Sequence, residues 1–209
     1  MKVVLTDYAY DTLQPFSDVY QAAGVEFIPL QCKSKQEVLQ ATEYADGVMT
    51  HYAHIDREVI DNLKNCKIII RSAVGVENID VEAANQRGIS VANVPDYCIE
   101  EVSDYVILLL LASAKKFCVL ERMVQRGEWD YAITKPSDTI HGKTLGLVGC
   151  GNIARAVARK AKVFDMDIIG CDPGVTEQEV AKYGIHLLPQ EKVLQDSDFL
   201  SLHAPLNRY

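Results

Sequence analysis

The sequence predicts an α/β protein built on two doubly wound parallel sheets, and three observations carry that expectation. Short apolar, β-branched-rich runs alternate with helical patterns along most of the chain, as parallel strands covered on both faces require. Pro95 and a long apolar helix behind it interrupt the alternation once, dividing the 209 residues into two domains of ordinary size. A strand then runs into the glycine turn Gly149-Cys-Gly151, after which the alternation resumes.

In the first part, strands are predicted over 2–6, 26–30, 47–50, 67–72 and 90–94, with helices over 13–23, 35–42, 56–62 and 81–87 between them. Five such strands fit a small flavodoxin-like domain, and its boundary is set at 1–98, with the second domain at 99–209. A helix over 100–117 opens the second domain. Its middle, VILLLLASA, is apolar all round and predicts burial between two bodies. Lys115 and Lys116 suit its C-terminal end. A short helix ending near Gly127 and a polar connection over 129–142 lead to the most informative stretch. There a strand over 144–149 enters the glycine turn, and a helix over 152–164 places Ile153, Val157, Ala161 and Phe164 on one face. A strand over 167–171 closes on Asp172 and Pro173, and strands over 185–188 and 199–203 flank a short helix at 190–195.

Composition narrows the function classes. With 48% hydrophobic and 24% charged residues the chain is globular rather than disordered. Its longest apolar run, 105–114, is far shorter than the roughly 20 residues a bilayer needs. The N-terminus has no signal-peptide pattern, so a soluble cytoplasmic protein is expected. Net charge is −8, with 8 basic and 15 acidic side chains in residues 1–100 against 13 and 14 in 101–209. No basic cluster offers a nucleic-acid footprint. The six cysteines occur singly with no CxxC pair, which predicts buried, reduced thiols and no zinc ribbon. His51 and His54 share a helical spacing but lack further ligands, so no metal site is expected.

The run Gly149-Cys-Gly151-Asn-Ile-Ala154 follows a strand and opens a helix, the context a dinucleotide fingerprint requires. Gly149 makes the tight turn, Gly151 lets a pyrophosphate approach the backbone, and Ala154 keeps the helix close to the strand. The helix N-terminus supplies free N–H groups and positive dipole for the phosphates. Asp172, 21 residues beyond Gly151, stands where an acid takes the adenosine ribose and repels a 2′-phosphate, which predicts NAD rather than NADP.

These motifs do not stand alone. The runs RSAVGVENID (71–80), NVP (93–95), EEVSDYVILLLL, GEW, HGKTLGLVGCGNIARAVA and SLHAPL, in unbroken order, resemble the D-isomer-specific 2-hydroxyacid dehydrogenases. That group includes phosphoglycerate dehydrogenase, glyoxylate/hydroxypyruvate reductase and the C-terminal-binding proteins. The resemblance implies an N-terminal substrate domain, a Rossmann NAD domain, and a homodimer formed through the helix near 100–117. It places Val74 and Gly75 in the cleft, with main-chain N–H groups holding the substrate carboxylate and Val74 also beside the cofactor. It assigns Asn152 and Ile153 to the loop over the pyrophosphate, Asp172 to the ribose, and His203 and Ala204, with Pro205, to the loop below the adenosine. The reaction implied is hydride transfer between nicotinamide and a small D-2-hydroxy or 2-oxo acid. A non-catalytic NAD-binding interaction protein of the C-terminal-binding type is the alternative.

Two departures shape the expectation. The family's substrate-clamping Arg and its His–Glu proton-transfer pair fall downstream of the HAPL motif, past Tyr209, so no catalytic residue is assigned here. The chain therefore reads as the front part of a dehydrogenase with half a Rossmann sheet and an open edge at 199–203. At the loop 50–52, Thr50 supplies no charge where a phosphorylated substrate would want one, and His51 reads as a surface histidine.

Overall fold

The computed structural model describes residues 1–135 and 139–205, in two units, Met1–Tyr97 and Cys98–Tyr209. Part of the 129–142 connection and Leu206, the last residue of the SLHAPL motif, therefore lie outside the described residues.

The first unit contains strands β1 (Lys2–Leu5), β2 (Glu26–Pro29), β3 (Gly47–Thr50), β4 (Ile68–Arg71) and β5 (Ser90–Ala92). Helices α1 (Gln14–Ala22), α2 (Lys35–Thr42), α3 (Arg57–Asn62) and α4 (Val81–Gln86) join them. The all-parallel sheet has the order β2-β1-β3-β4-β5, the flavodoxin-like winding, with Val48 opposite both Val4 and Ile69. Those three central residues are fully buried with Val59, Ile60, Leu63, Ala83 and Ala84 from α3, α4 and the connection after α3. The helices start where side chains satisfy free N–H groups. Ser34 accepts from Glu37, Asp56 from Val59 and Asp80 from Ala83.

The second unit begins with α5 (Ile99–Ala114) and α6 (Phe117–Gln125), separated by Lys116 in the left-handed region at φ +50°. A 3₁₀ turn at Tyr131–Thr134 follows. Strands β6 (Thr144–Val148), β7 (Asp167–Cys171), β8 (Ile185–Leu187) and β9 (Phe199–Leu202) form a parallel sheet ordered β8-β7-β6-β9. Counted along this unit, that is the order 3-2-1-4, which matches the first four strands of the doubly wound dinucleotide-binding order. Its connections are α7 (Asn152–Ala161), α8 (Glu177–Ala181) and α9 (Gln190–Asp196). Leu145, Leu147, Val157, Ala161, Ile168 and Ile185 form the core with Leu110 and Ala114 of α5.

The long helix ends at Ala114 rather than 117, because Lys116 leaves the helical region. It is not buried all round. Ser103, Leu110 and Ala114 are its buried residues, while Tyr105, Leu108 and Leu109 are 63%, 55% and 57% exposed. The cause is that α5 packs one stripe against α7, where Lys160 donates to the Glu100 carbonyl, Ser103 Oγ and Asp104 Oδ1. The helix over 152–164 gives way at Lys162 to a 3₁₀ turn, and α8 went unforeseen. Of the six free cysteines only Cys150 is fully buried, and Cys118 is exposed. No described helix is long and apolar enough to cross a membrane.

Candidate functional site

Parallel strands leave their carboxyl ends facing one side of the sheet, and ligands of such sheets bind in the crevice there. In the second unit the ends of β6, β7, β8 and β9 open onto a groove of about 760 Å³. Gly149, Gly151, Asp172, His203 and Ala204 all line it. Asn152 and Ile153 form the first turn of α7 immediately beyond, where the leading N–H groups of a helix have no intrahelical partner and no side chain caps them.

Local chemistry fixes each wall. Gly149 holds φ +86°, and a Cβ there would sit 2.8 Å from the Ala204 nitrogen and the His203 carbonyl carbon. Only glycine lets the β6 turn pass that close to the strand end beside it. A Cβ on Gly151 would meet nothing within 4 Å, so the backbone faces open space where a ligand can approach. Asp172 binds both loops at once. Its Oδ2 accepts from the Cys150 N–H at 2.8 Å and its Oδ1 from the Gly174 N–H at 2.8 Å. Each oxygen keeps a further lone pair for a hydroxyl donor. Burial, with Asp172 close by, pushes the Cys150 thiol up to about 11, so it packs rather than reacts.

His203 donates its backbone N–H to the Val148 carbonyl at 2.7 Å, which continues the β6–β9 pairing. Its side chain is different. Nε2 is buried without a hydrogen-bond partner, and burial lowers the imidazole pKa, leaving a neutral ring with one unsatisfied nitrogen at the groove. An orphaned buried polar atom of this kind is unfavourable unless a ligand completes it. Together with the open face of Gly151 and the uncapped α7, it shows that the residues present fit the pyrophosphate and adenosine end of a dinucleotide.

Val74 and Gly75 lie in the first unit, in the loop after β4. Asn93 Nδ2 donates to the Val74 carbonyl at 2.6 Å, and the Val94 N–H donates to the Ala73 carbonyl at 3.1 Å, so the loop is pinned along one side. Gly75 is exposed. Beneath the neighbouring loop sits Asp7, buried at the end of β1 and overlooked in the sequence. It accepts from the N–H groups of His51, Tyr52 and Ala53 and the hydroxyls of Thr6 and Thr50. Burial alone would raise its pKa, but those donors outweigh it and hold the carboxyl below its usual range. His51 is not a free surface histidine. It is half-buried and stacked on Tyr10 at 5.4 Å and Tyr52 at 4.0 Å. His54 is exposed, and the described residues contain no cluster of three His, Cys, Asp or Glu fit for a metal.

Sequence reasoning also missed the groove residues Leu188 and Gln190. The signal that finds them is topological, since Leu188 directly follows β8 and Gln190 opens α9 two residues later, in the turn at the ligand side of the sheet.

The β8-β7-β6-β9 sheet, its glycine turn and its acid-tipped second strand define a dinucleotide-binding domain. Residues 107–209 match the NAD-binding domain of the D-isomer specific 2-hydroxyacid dehydrogenases. The whole chain is similar to a D-3-phosphoglycerate dehydrogenase of Methanocaldococcus jannaschii, 34% identical over 212 residues, covering 99% of this chain and 39% of that protein. It is 37% identical over 177 residues to a glyoxylate reductase of Korarchaeum cryptofilum, covering 83% of this chain and 53% of that one. Among solved structures, an NAD⁺-bound 3-phosphoglycerate dehydrogenase of Entamoeba histolytica superposes with a TM-score of 0.80 at 27% identity, covering all of this chain and 64% of that one. The second unit is an NAD-binding domain of the D-isomer-specific 2-hydroxyacid dehydrogenase type, and the similarity to proteins of that family runs through the first unit as well. It spans about half the length, or less, of these curated relatives.

Proposed function

We propose that this sequence supplies the substrate domain, over residues 1–98, and the adenosine and pyrophosphate half of the NAD site of a dehydrogenase acting on small D-2-hydroxy or 2-oxo acids. The groove at the carboxyl ends of β6, β7, β8 and β9 carries the reading, because it gathers Gly149, Gly151, Asp172, His203 and Ala204 on one sheet edge. Asn152 and Ile153 offer N–H groups to the pyrophosphate, and His203 Nε2 takes a hydroxyl or amide of the cofactor. When bound, the nicotinamide supplies the hydride. Val74 and Gly75 offer main-chain N–H groups to the substrate carboxylate, with Val74 also placed toward the cofactor. The exposed apolar side of α5, at Tyr105, Leu108 and Leu109, supports a homodimer, and the protein is placed in the cytoplasm in this reading.

The activity test is NADH oxidation by the protein carrying this sequence, with glyoxylate, hydroxypyruvate and pyruvate as acceptors. Saturable turnover with at least one supports the reading; NAD binding with no reduction of any 2-oxo acid transfers the sequence to the interaction-protein alternative.

Asp172 gives a sharper expectation. Asp172 lines the groove, so Asp172→Ala should narrow the preference for NAD over NADP by about 1.5–3 kcal/mol, the worth of a hydrogen bond to a charged group. Asp172→Asn keeps one backbone acceptor and removes the charge, so it should lie between the two in calorimetric titrations. Equal affinity of the unaltered protein for both cofactors would remove Asp172 from this role.

A further inference from the structure

The carboxyl ends of the first unit's strands hold a second group of unsatisfied atoms. Arg71, the last residue of β4, has a side chain only 10% exposed. Its Nε donates to the His51 carbonyl at 3.3 Å. Its Nη1 lies 2.6 Å from Glu77 Oε2, yet the approach is off the N–H direction, so Nη1 has a charge partner and no hydrogen-bond acceptor. His51 Nδ1, on the loop whose carbonyl Arg71 grips, is also buried without a partner, as is Asn78 Oδ1. Asn78 is the residue after Glu77, and its Nδ2 donates to the Ala53 carbonyl at 2.8 Å.

Glu77 occupies a revealing place. A Cβ built on Gly75 would overlap the Glu77 carboxylate and lie 3.2 Å from Arg71 Nη1. The carboxylate therefore rests directly against Gly75 and in front of Arg71 Nη1, the guanidinium nitrogen left without a hydrogen-bond acceptor. Its side chain is 57% exposed, so it is free to swing into solvent without unpacking the core. The Arg71 guanidinium holds the Glu77 carboxyl below its ordinary range, so this anion is present throughout the neutral region.

We propose that Glu77 is an internal competitor for a small-oxyanion site made by Arg71 and the Gly75 backbone: its carboxylate stands where a ligand's carboxylate or phosphate must bind, and it sets affinity and selectivity by leaving. The proposal rests on the reading that the 74–75 loop receives the substrate carboxylate. A nearly buried arginine satisfied in charge but not in hydrogen bonding is matched better by an oxyanion that can approach along its N–H directions, which Glu77, tethered two residues from Gly75, does not achieve. Because that anion must displace a like charge, the loop discriminates against weak ligands and against a second negative group close by. Glu77 is a positioning residue in this account, since it acts on the ligand through Arg71.

The test uses the full 209-residue chain and two probes, glyoxylate and inorganic phosphate, followed by backbone amide shifts of residues 71–78. Glu77→Gln keeps the shape and removes the competing charge, so half-saturation by both probes is expected at about tenfold lower concentration. Glu77→Ala should do the same if Gln rebinds Arg71. Adding Arg71→Met to Glu77→Gln should abolish the gain, and denaturant unfolding of each variant, followed by the amide signals of the first unit, serves as the folding control. Tightening by both probes, or by glyoxylate alone, supports the proposal together with the 2-oxo acid reading. Tightening by phosphate alone keeps the proposal and sinks that reading. Unchanged affinity for both probes in Glu77→Gln and Glu77→Ala overturns the proposal, as does a gain that survives loss of Arg71.

Discussion

Gly149→Ala is expected to lower stability by about 2–5 kcal/mol and to remove measurable NAD binding. Two penalties act together. A non-glycine residue at φ +86° pays the cost of the left-handed region, about 1–2 kcal/mol. The new methyl also meets backbone, not a flexible side-chain tip, at 2.8 Å from Ala204 N and His203 C, and overpacking of this kind costs about 1–3 kcal/mol. Relief requires β9 to shift away from the β6 turn, which breaks the His203-to-Val148 hydrogen bond and widens the groove at the point where the pyrophosphate must rest. Denaturant unfolding measures the first effect and calorimetric titration the second. A variant with full stability would show that the turn can relax without glycine.

Asp7→Ala should cost about 3–5 kcal/mol, because it strips the acceptor from three backbone N–H groups and leaves them orphaned under the 51–53 loop. The pH dependence follows from the depressed carboxyl. The folded-state pKa lies below the ordinary value of 3.8, so the stabilisation is fully present above that value and is lost as pH falls through the folded-state pKa. Urea unfolding at pH 7 should therefore separate the unaltered protein from Asp7→Asn, and the gap should shrink as pH drops below about 4. A gap that stays constant with pH would mean that the charge of Asp7 is not what holds the loop. The same substitution should blur the amide signals of residues 51–53, since the Tyr10–His51–Tyr52 stack is built on that loop.

The contrast between these two residues shows what was legible in the sequence. The dinucleotide turn could be read because its parts are local: strand, Gly149-Cys-Gly151, helix and the acid at 172 fall within one β-α-β unit with fixed spacing. The parallel, doubly wound class followed from the alternation of strands and helices, and β3, α2 and β7 begin and end where the residue pattern places them. Asp7 could not be read, since all its donors but the adjacent Thr6 lie 43 to 46 residues away and no spacing rule connects them. The Arg71–Glu77 contact is short in sequence but takes its meaning from burial, which residue type does not disclose. Apolar character on every side of α5 described what the helix can bury, whereas its exposure depends on which neighbours are present.

In the proposed function, the groove beside Gly149, Gly151, Asp172 and His203 holds the adenosine and pyrophosphate of NAD. Calorimetric titration of the 209-residue protein with NAD and with NADP tests it most directly. One site per chain, with NAD at least about tenfold tighter than NADP, is the expected result. No saturable heat with NAD, or equal affinity for the two cofactors, would contradict it.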